Sequence, residues 1–218
     1  MEVLKRWTVD FSDYTQESLP QAFGADIHKI ISYGDDITTL PPEVDHCSQL
    51  EEIHIIRGQL KEIPPEVGEL SNLTILDVCN NHVESLPSTL AKCSHLKDIR
   101  VAKNQLTELP DLSTLVNLEH LDVSTNKLKS IPEFIFELPK LVWFSISNNP
   151  VESIPVNITK CKQLQTLGLR GIPGHLIPRE ICQMISLTTI YYDGREIDLH
   201  PSILNTFERK SHDTYTRR

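Results

Sequence analysis

Residues 96–110 read Leu96-Lys-Asp-Ile-Arg-Val-Ala-Lys-Asn-Gln-Leu-Thr-Glu-Leu-Pro110. Counted from Leu96, apolar residues fall at offsets +3 (Ile99), +5 (Val101), +10 (Leu106) and +13 (Leu109). Asparagine falls at +8 (Asn104) and proline at +14 (Pro110). The same frame starts again at Ile27, Leu50, Leu73, Leu118, Leu141, Leu164 and Leu187, with steps of 23 residues except one of 22 from Leu96 to Leu118. Proline occupies +14 in all eight copies, from Pro41 to Pro201. A fixed period of this length is the mark of a stacked repeat, in which each unit buries its apolar face against the next.

Within a copy the alternation of side chains predicts a short strand. The +3 column (Ile30, Ile53, Leu76, Ile99, Leu121, Phe144, Leu167, Ile190) and the +5 column (Ser32, Ile55, Val78, Val101, Val123, Ile146, Leu169, Tyr192) point inward. The four middle copies hold Asn81, Asn104, Asn126 and Asn149 at +8. There the chain bends and its buried backbone groups need partners, which a carboxamide supplies with two donors and an acceptor. Pro at +14 ends the extended piece. Apolar residues at −6 and −3 of the next copy, such as Val67 and Leu70, then suit a single helical or 3₁₀ turn. The short copy has lost one residue after Pro110 but keeps both anchors, Leu112 and Leu115. In the seventh copy Arg170-Gly-Ile-Pro-Gly174 replaces the bend and predicts a reshaped loop.

We read residues 1–26 as an N-terminal cap, with a strand in the alternation of Trp7, Val9 and Phe11. Residues 27–208 form eight repeats, and 209–218 a polar tail. Cys47, Cys93 and Cys161 fall in the core column at −3, as small hydrophobes rather than disulfide partners. An odd count of five cysteines fits a reducing compartment. The first residues lack a secretory apolar run and no stretch is long enough to span a membrane, so a cytoplasmic location is expected. A net charge of −9 argues against a nucleic-acid partner.

The repeat resembles the leucine-rich repeat, L-x-x-L-x-L-x-x-N-x-L, in its 23-residue form closed by Leu/Ile-Pro, over about residues 27–207. It is similar to the cytosolic Ras-group, Shoc2-like class. The resemblance implies an α/β solenoid, a right-handed superhelix with a concave parallel sheet and short helical or 3₁₀ turns on the convex side. It implies a protein partner, in the manner of an adaptor or scaffold in GTPase or other signalling. Similar repeats occur in bacterial effectors and ubiquitin-ligase substrate-recruiting proteins, which is the alternative reading.

Outward strand positions are the expected docking face. The +4 column brings Ile31, His54, Asp77, Arg100, Asp122 and Tyr191 into one row, with His54, Asp77, Arg100 and Asp122 as a lateral charge ladder. At +6 lie Tyr33, Ile56 and Arg170, and at +2 lie Ile75 and Trp143. Tyr33 and Ile56, with Ile31 and Ile75, make an apolar cluster where water is expected, which marks an interaction site unless the N-terminal cap covers it. Trp143 and Arg100 are the side-chain types that anchor interfaces. Cys79, His54 and Asp77 make a nominal hydrolytic set, but an open sheet offers no shielded, thiolate-favouring pocket. His54, Asp77 and His120 are spread too widely for a metal. No cofactor or enzymatic activity is expected.

Overall fold

The computed structural model describes residues 8–194 and 199–217. Trp7, in the expected first strand, and Arg195, at the last +8 site, lie outside them. The sheet strands are β1 (Thr8–Asp10), β2 (Lys29–Tyr33), β3 (Glu52–Ile56), β4 (Ile75–Asp77), β5 (Asp98–Arg100), β6 (His120–Asp122), β7 (Trp143–Ser145), β8 (Thr166–Gly168), β9 (Thr189–Tyr191), β10 (Phe207–Ser211) and β11 (Thr214–Arg217). They form one sheet, parallel and in sequence order from β1 to β9, then β11 and β10 antiparallel.

Register follows the repeat frame. Ile30, Ile53, Leu76, Ile99, Leu121, Phe144, Leu167 and Ile190 pair in succession, so each +3 side chain stacks on the next. All eight are buried, as are Leu50, Leu73, Leu96, Leu118, Leu141, Leu164 and Leu187 at the frame origin. Together they make one continuous apolar core. Removing this much apolar surface from water is the main stabilising term, at roughly 25 cal/mol per Å².

The asparagines tie each coil to the one before. Asn104 Oδ1 accepts from the Val83 N–H at 2.9 Å, while its Nδ2 donates to the carbonyls of Val78 (2.9 Å) and Val101 (3.1 Å). Asn81, Asn126 and Asn149 repeat this pattern one coil apart. The residue just before, at +7, takes a left-handed backbone in seven coils: Gly34, Arg57, Asn80, Lys103, Thr125, Asn148 and Gly171. In the first coil the staple is replaced by Ser32, whose hydroxyl donates to Asp35 at 2.6 Å.

On the outer side, 3₁₀ turns run over Pro42–His46, Pro65–Glu69, Ser88–Lys92, Glu133–Glu137, Val156–Lys160 and Arg179–Gln183. Each follows the +14 proline, whose fixed φ suits a helix entry. The short copy has no such turn. Its missing residue leaves too little chain, yet Leu112 and Leu115 stay fully buried.

At the N-terminal end, Phe11 and Leu19 close the core, Phe11 meeting Phe23 edge-on at 6.3 Å. Gln16 accepts from the Thr38 N–H (2.9 Å) and donates to the Thr39 carbonyl (3.0 Å), as a surrogate for an earlier coil. At the other end the chain departs from the expected polar tail. After α1 (Pro201–Thr206), β10 and β11 form a hairpin, and β11 lies against β9 with Tyr215 opposite Ile190. Phe207 and Tyr215 are each 1% exposed, and Arg217 donates to the Met184 carbonyl at 2.9 Å. The charges between them, Glu208, Arg209 and Lys210, sit on the outermost strand and face solvent. Charged outer strands of this kind blunt a sheet edge.

Candidate protein-binding face

The period-2 alternation that buries +3 and +5 leaves +2, +4 and +6 on the open face of the sheet. The +4 residues fall in one row, Ile31, His54, Asp77, Arg100, Asp122, Ser145, Gly168 and Tyr191, each opposite the next. The +2 row runs Lys29, Glu52, Ile75, Asp98, His120, Trp143, Thr166 and Thr189. Each expected docking residue on a paired strand therefore sits on this face.

Arg100 is at the centre. Its Nε donates to Asp98 Oδ1 at 3.1 Å, and a second guanidinium nitrogen reaches Asp98 Oδ2. Asp77 Oδ2 is 3.9 Å away on the neighbouring strand, and His120 Nδ1 lies 3.6 Å from Asp98. Asp77 and Asp98 are each 6% exposed, whereas the Arg100 side chain is 49% exposed. A two-point carboxylate grip fixes the guanidinium plane while leaving its outer edge open. Asp98, Arg100, His120, Asp122 and Trp143 line a hollow of about 360 Å³. Asp98 was not among the sequence candidates, although its +2 position shares the face of Arg100.

Of the expected cross-strand ladder only one long contact forms, Arg100 to Asp77 at 3.9 Å. His54 Nε2 meets Glu52 of its own strand at 3.0 Å, and Arg100 prefers Asp98, also two residues away. Asp77 and Asp122 are short and turn back to their own backbone, accepting from the N–H of Cys79 (3.1 Å) and Ser124 (3.0 Å). Long side chains reach along a strand where short ones are captured by local amides. Burial, more than any other cause, raises the Asp122 pKa above the usual carboxylate value. Glu52 is shifted the other way, chiefly by the Lys29 ammonium at 2.7 Å and then by His54.

The two ends differ. Towards the N-terminus, Tyr33 stands 66% exposed, paired with a half-buried Ile56, so the described part of the cap does not cover it. Towards the C-terminus the floor drops at Ser145 and Gly168, both buried. A Cβ at Gly168 would collide with the Ser145 hydroxyl. Arg170 lies 5.0 Å over the Tyr191 ring and pairs with Asp213 of the terminal hairpin at 2.6 Å, a partner that the repeat frame does not reach. Trp143, Ser145, Gly168, Arg170 and Tyr191 border a second hollow of about 470 Å³.

The thiol chemistry runs against nucleophilic use. Burial first, then neighbouring Asp77, pushes the Cys79 thiol far above its ordinary value. Burial likewise lifts Cys93 to about 11 and Cys161 to about 12. Among the described residues no three His, Cys, Asp or Glu side chains converge as metal ligands.

A leucine rich repeat family model matches residues 71–128. No curated protein matches the chain. Among solved structures, a leucine-rich-repeat protein of Leptospira interrogans is 26% identical with a TM-score of 0.68, over 77% of this chain and 43% of that one. An internalin from Listeria monocytogenes is 18% identical with a TM-score of 0.69, over 77% of this chain and 48% of the internalin. The ectodomain of the Arabidopsis thaliana receptor kinase GASSHO1/SCHENGEN3, in complex with Casparian strip integrity factor 2, is 23% identical with a TM-score of 0.64, over 85% of this chain and 25% of the receptor. The chain thus spans less than half the length of each. By fold, with its stacked parallel strands, asparagine staples and outer 3₁₀ turns, the chain is a leucine-rich-repeat solenoid.

Proposed function

We propose that the chain is a non-catalytic protein-binding module that docks a protein partner on the concave face of the sheet, with Arg100 and Trp143 at the centre of the contact. The single observation that carries this reading is the state of Arg100. It is held in a fixed plane by a buried carboxylate yet open to solvent, in one hollow with a half-buried tryptophan two strands away. A side chain already immobilised loses little further entropy on binding, and Arg and Trp dominate measured interfaces. Ile31, Tyr33, His54, Ile56, Asp77, Asp122, Arg170 and Tyr191 extend the face on both sides. The fold is in general a protein-interaction module, which supports the reading.

Free cysteines, three of them buried in the core, favour a reducing compartment, and we place the protein in the cytoplasm as an adaptor of the Ras-group, Shoc2-like type. No helix among the described residues is long and apolar enough to cross a membrane. A second reading is a bacterial effector or ubiquitin-ligase substrate-recruiting leucine-rich-repeat protein acting in a host cell; the likeness to a Leptospira leucine-rich-repeat protein supports its bacterial origin alone.

The test is affinity capture with the wild type and with Arg100→Ala/Trp143→Ala. A partner held on this face drops at least tenfold in the double variant while the melting curve is kept. Equal recovery would place binding on the outer turns or lateral loops.

A further inference from the structure

The hollow between Trp143 and Tyr191 is over-supplied with hydrogen-bond donors. Its volume is about 470 Å³, and Ser145, Ser147 and Gly168 form its floor. Glycine at 168 keeps that floor low, because a Cβ there would meet both serine hydroxyls. Ser145 and Ser147 are 5% and 6% exposed, and their hydroxyl oxygens are 3.1 Å apart. One of the two hydroxyl protons is used between them. Ser147 Oγ also accepts from the Arg170 N–H at 3.0 Å, and Ser145 Oγ from the Ser147 N–H at 3.4 Å. The second hydroxyl proton has no acceptor among the described residues. A buried donor left without an acceptor is rare in a folded chain.

The cations that line the same hollow add to the surplus. Arg170 gives Asp213 one guanidinium nitrogen, its buried Nε has no partner, and its side chain stays 42% exposed. Lys103 lines the opposite end, exposed, and its ammonium pairs with nothing among the described residues. The one carboxylate among the lining residues, Asp122, turns to the Ser124 N–H at 3.0 Å and lies opposite Arg100 in the register. Charge along the solenoid runs the same way. Residues 8–91 hold fifteen Asp and Glu against three Lys and Arg, a net charge of −12, whereas residues 92–194 hold ten acids against eleven bases, a net charge of +1. An anionic group is therefore turned away from the first coils and admitted at this hollow.

We propose that this hollow docks an acidic segment of a protein partner, with an Asp or Glu carboxylate accepting from the free serine hydroxyl and from Arg170, and with Lys103 as the second cation at the opposite end. The aliphatic stem of that side chain lies against the Trp143 and Tyr191 rings. This rests on the concave-face reading and adds the chemistry of the partner. Hydrogen bonds to an ionised carboxylate are the strong kind, and the fixed guanidinium and buried hydroxyl need no reordering to make them.

The probe is a fluorescent peptide of four Glu-Gly-Leu-Gly units, compared with its Gln-for-Glu and Lys-for-Glu analogues by anisotropy on the full chain. The Glu peptide binds the wild type, and each analogue binds at least tenfold more weakly. Lys103→Gln loses at least threefold in affinity, and Lys103→Gln/Arg170→Gln at least tenfold. Arg57→Gln removes an exposed cation at the same +7 position two coils nearer the N-terminus, and keeps the wild-type value. Melting curves confirm folding; should the loss of the Arg170–Asp213 pair unfold the double variant, Lys103→Gln against Arg57→Gln still decides. The proposal is overturned if the Gln peptide binds as well as the Glu peptide, if Arg57→Gln weakens binding as much as Lys103→Gln, or if no peptide binds at millimolar concentration. Free glutamate that binds as tightly as the peptide would make the occupant a small carboxylate, and would overturn it too. Loss of the captured partner in Arg100→Ala/Trp143→Ala, alongside a negative peptide result, would sink this proposal and leave the concave-face reading standing.

Discussion

Asn104 shows how much rests on one side chain. It serves one N–H and two carbonyls buried between coils. Asn104→Ala leaves the Val83 N–H without its acceptor, at about 1–3 kcal/mol, while the Val78 and Val101 carbonyls keep Asn81 and Asn126 as donors. Urea unfolding is expected to show a loss of about 1–3 kcal/mol. Asn104→Asp keeps the acceptor for Val83 but aims a carboxylate oxygen at the Val78 and Val101 carbonyls, so it does not rescue. Thr125 is the opposite case, a β-branched residue held at φ 54° where its neighbouring coils have Lys103 and Asn148. A left-handed backbone is costly for most L-residues and least so for Gly and Asn. Thr125→Asn is expected to raise the melting temperature, with a gain of about 0.5–1 kcal/mol. Asp122 has a raised folded pKa, so its ionised form is disfavoured by the fold. Stability from this group is then greatest below its unfolded value, near ~3.9, and falls as pH rises through the folded value. Asp122→Asn should therefore melt higher than wild type at pH 7, and the difference should vanish in acid. A difference independent of pH would contradict the assignment.

At the scale of elements, what the sequence made legible is what the repeat enforces. Leu96, Ile99, Val101 and Asn104 recur because every coil must fill the same space, so their roles could be read without coordinates. The left-handed site could not. Arg57, Asn80, Lys103 and Thr125 share no chemistry, and the conformation recurs even where Gly58, not an asparagine, follows. Nor could the terminal hairpin be read, since it belongs to no repeat. Tyr215 and Arg217 sit among polar residues that resemble a solvated tail until β9 supplies the missing edge. That hairpin seals the stack, and Tyr215 packs 6.1 Å from Tyr192. Tyr215→Ala is expected to cost about 3 kcal/mol or more, within the range for large aromatic core truncations. It should also promote self-association through the uncovered edge of β9. A melting temperature within a degree of wild type would show that the hairpin is dispensable.

Across the whole molecule, the parallel register turns a linear spacing into a two-dimensional array. Positions 23 residues apart become neighbours about 4.8 Å apart. The rows at +2, +4 and +6 could be written from the sequence. The pairing within them could not, because Arg100 chooses Asp98 along its strand over Asp77 across it by side-chain length and local amide capture. The central claim is that a partner covers this array. Hydroxyl-radical footprinting of the free and partner-bound chain tests it most directly, because it reads side chains on every face at once. The account predicts protection of Trp143, Tyr191 and Tyr33, with Val156 and Ile185 on the outer and lateral surfaces labelled as in the free protein. Protection of Val156 or Ile185 with Trp143 unchanged would contradict it.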